Sequence, residues 1–359
     1  MGQIDGLRAF AVMAVLLDHY WQSQYEIGSL AVRLFFIISG YVITAILLKA
    51  RSSVEEGRIS ARKVAARFFV RRALRIFPAY YLLLVVAVLL NIDHIRTFEF
   101  WHAAQLSNIL FSMRNEFAPS YTAHYWSLSI EEQFYLLWPL AILAAPRRFL
   151  VPIVAAIIAV AVAYRTISAF YRPDAFMTYY LTPVAFDSLG AGAMLALLQH
   201  HTGFDKVLTR SIAVALLIAA ALTAALFGHL LGDGTWAYVG VLLGLANLPM
   251  LWLVRGASGG FAGPLGMVLS AGPVVYLGRI SYGIYLYHLF VWRLCAAALH
   301  RVGIAFPNGS ILWFLVGSLV VVALSAVSWH ALEQPFNRLK GGFDMSGNRQ
   351  ASGERQRAA

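Results

Sequence analysis

The stretch 310–331 contains no Asp, Glu, Lys or Arg. A helix needs ~20 mostly apolar residues to cross the ~30 Å hydrocarbon core of a bilayer. Water is absent there, so only helices and closed barrels satisfy the backbone. The apolar runs of this chain are long and do not alternate residue by residue, so helices are predicted. Nine further stretches read the same way: 7–24, 30–48, 74–92, 125–144, 150–168, 179–199, 211–230, 236–254 and 281–299. Composition agrees, with 60% hydrophobic and 13% charged residues, whereas a soluble domain is nearer half apolar and a quarter charged. The expected fold is all-α, a polytopic membrane helix bundle of about ten transmembrane helices. The segment 262–278 is apolar but short and rich in Gly and Pro; it reads as an interfacial or re-entrant piece, or as an extra span.

The formal net charge of +11 would suggest nucleic-acid binding in a soluble protein. Here the basic residues flank the spans, so no nucleic-acid partner is expected. With the N-terminus inside, 21 of the 28 Lys and Arg fall on the inner side, and the positive-inside rule places both termini in the cytoplasm. The main inner loop is then 49–73 and the main outer loop 93–124. Cys295 is the single cysteine, so no intrachain disulfide framework is expected. The first apolar stretch contains Asp18 and His19 and lacks a clear small-residue cleavage site, so it reads as a span rather than a leader. Residues 1–340 read as one membrane domain without internal repeats, and 341–359 as a polar, disordered cytoplasmic tail.

Ionisable side chains inside a membrane helix are costly and mark function by default. Arg8 and His19 share one helix face, about 16 Å apart along the axis. A neutral histidine can take a proton from a hydroxyl; a buried histidine bonded to a backbone carbonyl accounts for the same residue. Asp18 points about 100° away from His19 and is a weaker candidate. In "HYWSLSIEEQFYLLWP", Glu131 lies about 9 Å along its helix from Tyr125, at a depth like that of His19. It or Glu132 can orient the imidazole, stabilise imidazolium or bind a polar acceptor, or else solvate the helix entrance. Both cannot face one partner. In "RKVAARFFVRRALRIFPAYY", Arg72 and Arg75 lie on one helix face and suit phosphate oxygens, although a basic helix end facing anionic lipid is the plainer reading. Ser39-Gly40 in "FFIISGYVIT" suits close helix packing; a nucleophilic serine would need a base beside it. Tyr285, His288 and Trp292 form one helical stripe, consistent with an interfacial aromatic belt. Glu333 precedes the helix-stopping Pro335 and is placed to meet the basic cluster.

Five pieces taken in order resemble acyltransferase family 3, bacterial membrane O-acyltransferases acting on O-antigen, exopolysaccharide or macrolide hydroxyls: "IDGLRAFAVMAVLLDH", "RLFFIISGYVIT", "RRALRIFPAYY", "HYWSLSIEEQFYLLWP" and "YLGRISYGIYLYHLFV". The pieces fall between residues 4 and 291, and the resemblance runs across nearly the whole chain, from residue 3 to about 336. The resemblance implies a protein of the bacterial inner membrane that moves an acyl group, acetyl by default, from acyl-CoA to a hydroxyl of a carbohydrate or lipid-linked sugar, with no metal. It implies functional roles for Arg8 and His19, a CoA-phosphate site at Arg72 and Arg75, and the family's glutamate at Glu131. Ser39, Glu132, Tyr285, His288, Asp18 and Glu333 are supporting candidates. The position before "LFF", often acidic in this family, is Arg33. Many members carry a fused extracytoplasmic esterase-like domain, which these residues lack. Three rival readings stand beside this one: an acyl translocator serving a separate extracytoplasmic transferase, a proton-coupled transporter or flippase, and a non-catalytic membrane subunit.

Overall fold

The computed structural model describes residues 2–21, 27–171, 180–201, 245–301, 303 and 310–346. Among them there is no strand. The helices are α1 (Gly2–Tyr20), α2 (Ile27–Glu55), α3 (Ala61–Leu89), α4 (Glu99–Ala103), α5 (Ser107–Arg114), α6 (Tyr125–Ala144), α7 (Arg147–Tyr171), α8 (Thr182–His201), α9 (Asn247–Gly259), α10 (Gly263–Ser270), α11 (Gly272–Arg301), α12 (Ile311–Ser328) and α13 (Gln334–Arg338). Five stretches of the described residues are long and apolar enough to cross a membrane by length and composition: Ile27–Glu55, Ala61–Leu89, Arg147–Arg165, Gly272–Arg301 and Ile311–Gly342. Leu82, Val85 and Leu89 of α3 and Leu319 and Val327 of α12 are exposed, an arrangement suited to lipid rather than water. The chain is a helical membrane protein.

Several predicted boundaries move. Most of the stretch 49–73, read as an inner loop, is helical: α2 runs on to Glu55, and α3 starts at Ala61 with the Ser60 hydroxyl accepting from the Lys63 amide. Charged residues lowered the apparent hydropathy there, but Arg, Lys and Glu are good helix formers. The segment 262–278 resolves into α10 and the start of α11. Eight residues of α10 reach only about 12 Å, too short to cross. The stretch 93–124, read as the main outer loop, is folded. The Tyr80 hydroxyl donates to the His102 carbonyl at 2.8 Å, and His102 itself is buried between Ser107 and Thr122. The predicted span 211–230 and residues 236–244 of the span 236–254 lie outside the described residues, as does the tail beyond Ser346. Residues 340–344 dock on α3 instead, with Arg71 donating to the Lys340 and Phe343 carbonyls and Arg67 to that of Asp344.

The core lies among α1, α2, α6, α8 and α11. α2 and α8 touch backbone to backbone: a Cβ on Gly40 would collide with the Leu189 carbonyl oxygen, and one on Gly192 with that of Ile37. Small residues at such crossings drive association where lipid removes the hydrophobic force between helices. α1 runs alongside α11, with Gly2 beside Val275 at one end and the Tyr20 hydroxyl on the His288 carbonyl at 2.7 Å towards the other. Gly2, the Arg-rich start of α3 and residues 340–344 therefore share one end of the bundle, here called the basic end.

Candidate active site

Five helices, α1, α2, α3, α6 and α11, line a partly open cavity that spans about 620 Å³ with its mouth included. Arg8 enters from α1, Ser39 from α2, and Arg72 and Arg75 from α3. Helix α6 contributes Ser127, Glu131 and Tyr135, four residues apart and hence on one face. Helix α11 contributes Ser281, Tyr282 and Tyr285. A second chamber of about 440 Å³ continues towards the basic end past Ile4 and Asp5. The two share Arg8, Ser39, Arg72, Arg75 and Tyr135 as walls.

Three guanidinium groups face this space against one cavity carboxylate, Glu131, with Asp5 in the further chamber. The Ser39 hydroxyl donates to Glu131 Oε1 at 2.6 Å, and the Tyr135 hydroxyl donates to Ser39 Oγ at 3.3 Å. Arg72 lies over the Tyr135 and Phe68 rings, 5.6 and 5.7 Å from their centroids. The Nε atoms of Arg8 and Arg72 are buried without a hydrogen-bond partner. Unmet donors on surplus positive charge suit an anion with several acceptor oxygens.

Tyr285, a wall of the cavity, separates it from a histidine cluster. Tyr285 shares a 2.6 Å hydrogen bond with Ser127, and its ring lies 5.4 Å from His288 and 5.5 Å from His124. The His288 ring centroid is 4.9 Å from His19 and 4.8 Å from His124. Each imidazole faces a backbone carbonyl: His19 Nδ1 at Val15 (3.0 Å), His288 Nδ1 at Tyr285 (2.6 Å), and His124 Nε2 at Leu286 (3.0 Å). A carbonyl only accepts, so in each neutral ring that nitrogen carries the proton and the other keeps its lone pair. For His19 the basic nitrogen is Nε2. His288 Nε2 and His124 Nδ1 are buried without partners. Among the described residues, no three His, Cys, Asp or Glu side chains are placed to hold one metal ion.

Arg8, Ser39, Arg72, Arg75, Glu131 and Tyr285 thus meet in one cavity, and His19 and His288 meet just past it. Glu131 takes its hydrogen bond from Ser39 rather than from an imidazole. Glu132 leaves the cavity for the opposite side of α6. Asp18 packs against Gly28 of α2. Trp292 stacks on Tyr20 with centroids 4.9 Å apart, so the α11 stripe faces protein rather than forming a lipid belt. Buried Glu333 accepts from Ser328 at 3.1 Å, not from the basic cluster. Arg33 turns away from the cavity: it pairs with Asp187 on α8 at 2.8 Å, and Arg165 of α7 pairs with the same carboxylate. Ser127, Tyr135 and His124 were not singled out as site residues. The four-residue spacing of Ser127, Glu131 and Tyr135 was the available signal.

A family model described as an acyltransferase domain matches residues 1–330. The peptidoglycan O-acetyltransferase OatA of Listeria monocytogenes is 30% identical, over 95% of this chain and 56% of its own length. The O-acetyltransferase OatA of Staphylococcus aureus is 28% identical, over 79% of this chain and 49% of its own. The chain spans about half the length of the curated relatives it matches. No solved structure matches.

Proposed function

The chain belongs to the acyltransferase family, and from that premise we propose that it is a membrane O-acyltransferase. It takes an acyl group, acetyl by default, from acyl-CoA at the basic end and passes it to a carbohydrate hydroxyl. The names of the relatives favour peptidoglycan or a precursor of it as the acceptor. The positive-inside bias makes the basic end cytoplasmic, in a bacterial inner membrane. The observation that carries the reading is the convergence of Arg8, Arg72 and Arg75, two of them with unmet donors, on a cavity whose Tyr285 wall borders the histidine cluster.

In this reading Arg72 and Arg75 bind donor phosphates and Arg8 holds the donor's inner portion. His19 Nε2 removes the acceptor proton while its Nδ1–H remains on the Val15 carbonyl. The acceptor oxygen then forms a bond to the thioester carbonyl carbon, and the C–S bond breaks. The imidazolium returns its proton to the departing thiolate, so protons and charge balance. Ser39 and Glu131 set the polar wall beside the arginines, and Tyr285 with Ser127 lines the route between cavity and histidines.

The test is acyl-CoA binding and turnover by purified protein in nanodiscs. Arg72→Ala/Arg75→Ala should lose about 10–150-fold in donor affinity, from the ~1.5–3 kcal/mol of a charge-assisted hydrogen bond. His19→Ala should bind donor and stop turnover. A wild-type protein with no saturable acyl-CoA binding would transfer the lead to the transporter reading. Donor turnover that reaches acceptor only with a second protein would favour the acyl translocator.

A further inference from the structure

A second recess opens on the other side of α6. It is an open groove that spans about 1100 Å³, its mouth included, between α3, α6 and residues 103–106. Its walls are mostly apolar, with Phe69, Phe77 and Tyr81 on α3 and the exposed Leu136 on α6. The lining on α3 runs from residue 69 to 81, about 18 Å along the axis, slightly more than half of a ~30 Å hydrocarbon core. It faces lipid sideways. Its roof is pinned: the Tyr81 hydroxyl donates to the Ala103 carbonyl at 2.9 Å, and Gln133 Nε2 to that of Gln105 at 2.9 Å.

Apolar walls alone would suit any lipid chain. The back of this groove differs, because Glu132 Oε1 is buried there without a partner. Gln105 is 8% exposed, and its amide makes no close hydrogen bond, the Tyr81 hydroxyl being its polar neighbour. Such atoms are destabilising when left unmet. Bulk acyl chains offer only methylenes at this depth. A head with hydroxyls meets the Glu132 carboxyl and an amide that both donates and accepts. Arg72 and Tyr135 line both the groove and the central cavity and form the partition between them.

We propose that this groove binds the acceptor laterally from the bilayer, as a single-chain amphiphile with a hydroxyl-bearing head hydrogen-bonded by Glu132 and Gln105. The inference rests on the transferase reading for the word acceptor; the binding site itself does not. The chain lies along the aromatic face of α3, and the head sits one side chain from the reaction cavity.

The experiment uses the full chain in phosphatidylcholine nanodiscs and a dodecyl glucoside carrying a diazirine in its alkyl chain. Labelled peptides are mapped by mass spectrometry, with dodecyl maltoside or dodecyl phosphocholine as competitor. Labelling should fall on 69–81 and 132–136 and be competed by the maltoside, not the phosphocholine. Ala73→Phe, which fills the groove, should reduce labelling about tenfold, equivalent to ~1.4 kcal/mol, and leave acyl-CoA binding unchanged. Glu132→Leu should remove the preference for glycoside over phosphocholine. Equal competition in the wild type would make the groove a seat for bulk lipid and overturn the proposal; labelling elsewhere would also overturn it. Because labelling needs no turnover, a failed transferase reading leaves this readout intact and distinguishable.

Discussion

Replacing Ser39 with Ala removes one hydroxyl from the cavity wall. That hydroxyl donates to Glu131 Oε1 at 2.6 Å and accepts from Tyr135 at 3.3 Å, at a position 5% exposed. Water does not readily replace it. A hydrogen bond to a charged group is worth ~1.5–3 kcal/mol, so losing it where the carboxylate is positioned for reaction lowers kcat/KM about 10–150-fold. Close packing at this crossing belongs to Gly40, whose missing Cβ makes room for the Leu189 carbonyl. Ser39→Ala leaves that contact untouched, so a purely packing serine predicts no loss. The assay is acyl transfer from acetyl-CoA in nanodiscs, with thermal unfolding measured on the same samples. A double-mutant cycle with Glu131→Gln locates the effect: Ser39→Ala should cost little more once Glu131 is altered. Full activity in Ser39→Ala at unchanged stability, or additive losses in the cycle, would refute the coupling.

Asp187→Ala leaves Arg33 and Arg165 buried without their shared carboxylate, and about 3–5 kcal/mol of stability should be lost, read as a lower Tm. Gly40→Ala should destabilise the α2–α8 contact and lower Tm while Gly57→Ala, which meets no neighbour but sits at φ +73°, serves as a backbone-strain reference. Burial holds His102 in the folded outer segment down at about 4, below its ordinary 6.5. The unfolded chain therefore binds that proton more readily, and its contribution to stability is intact above about 6.5 and lost as pH falls towards 4. Unfolding followed across that window should show the loss, and His102→Gln should flatten it.

The site was partly legible because its chemistry is costly in lipid. Arg8, Arg72, Arg75 and Glu131 stand out in apolar surroundings, and the structure places all four on one cavity. The depth argument that paired Glu131 with His19 used distance along helices and had no means of weighing Ser39, which is 92 positions from Glu131 and takes its hydrogen bond. Arg33 stood out as a departure at the cavity mouth. Its partner is Asp187, 154 positions away on α8, and no local pattern carries such a pairing. The helix limits erred where charges cluster, since hydropathy marks what lipid tolerates and not where backbone hydrogen bonding ends.

By itself the sequence determined that the chain folds as membrane helices, because uncharged runs longer than a bilayer is thick leave the backbone no other way to satisfy its polar groups. It also marked Arg8, Arg72, Arg75 and Glu131 as side chains costly in hydrocarbon, and the structure gathers these four on one cavity. Only the tertiary structure decided that adjacent Glu131 and Glu132 serve different spaces, one facing the arginines and the other a lipid-side groove. It alone brought His19, His124 and His288 together. Those outcomes depend on how helices distant in sequence rotate and cross, and backbone contacts such as Gly40 on Leu189 set that geometry.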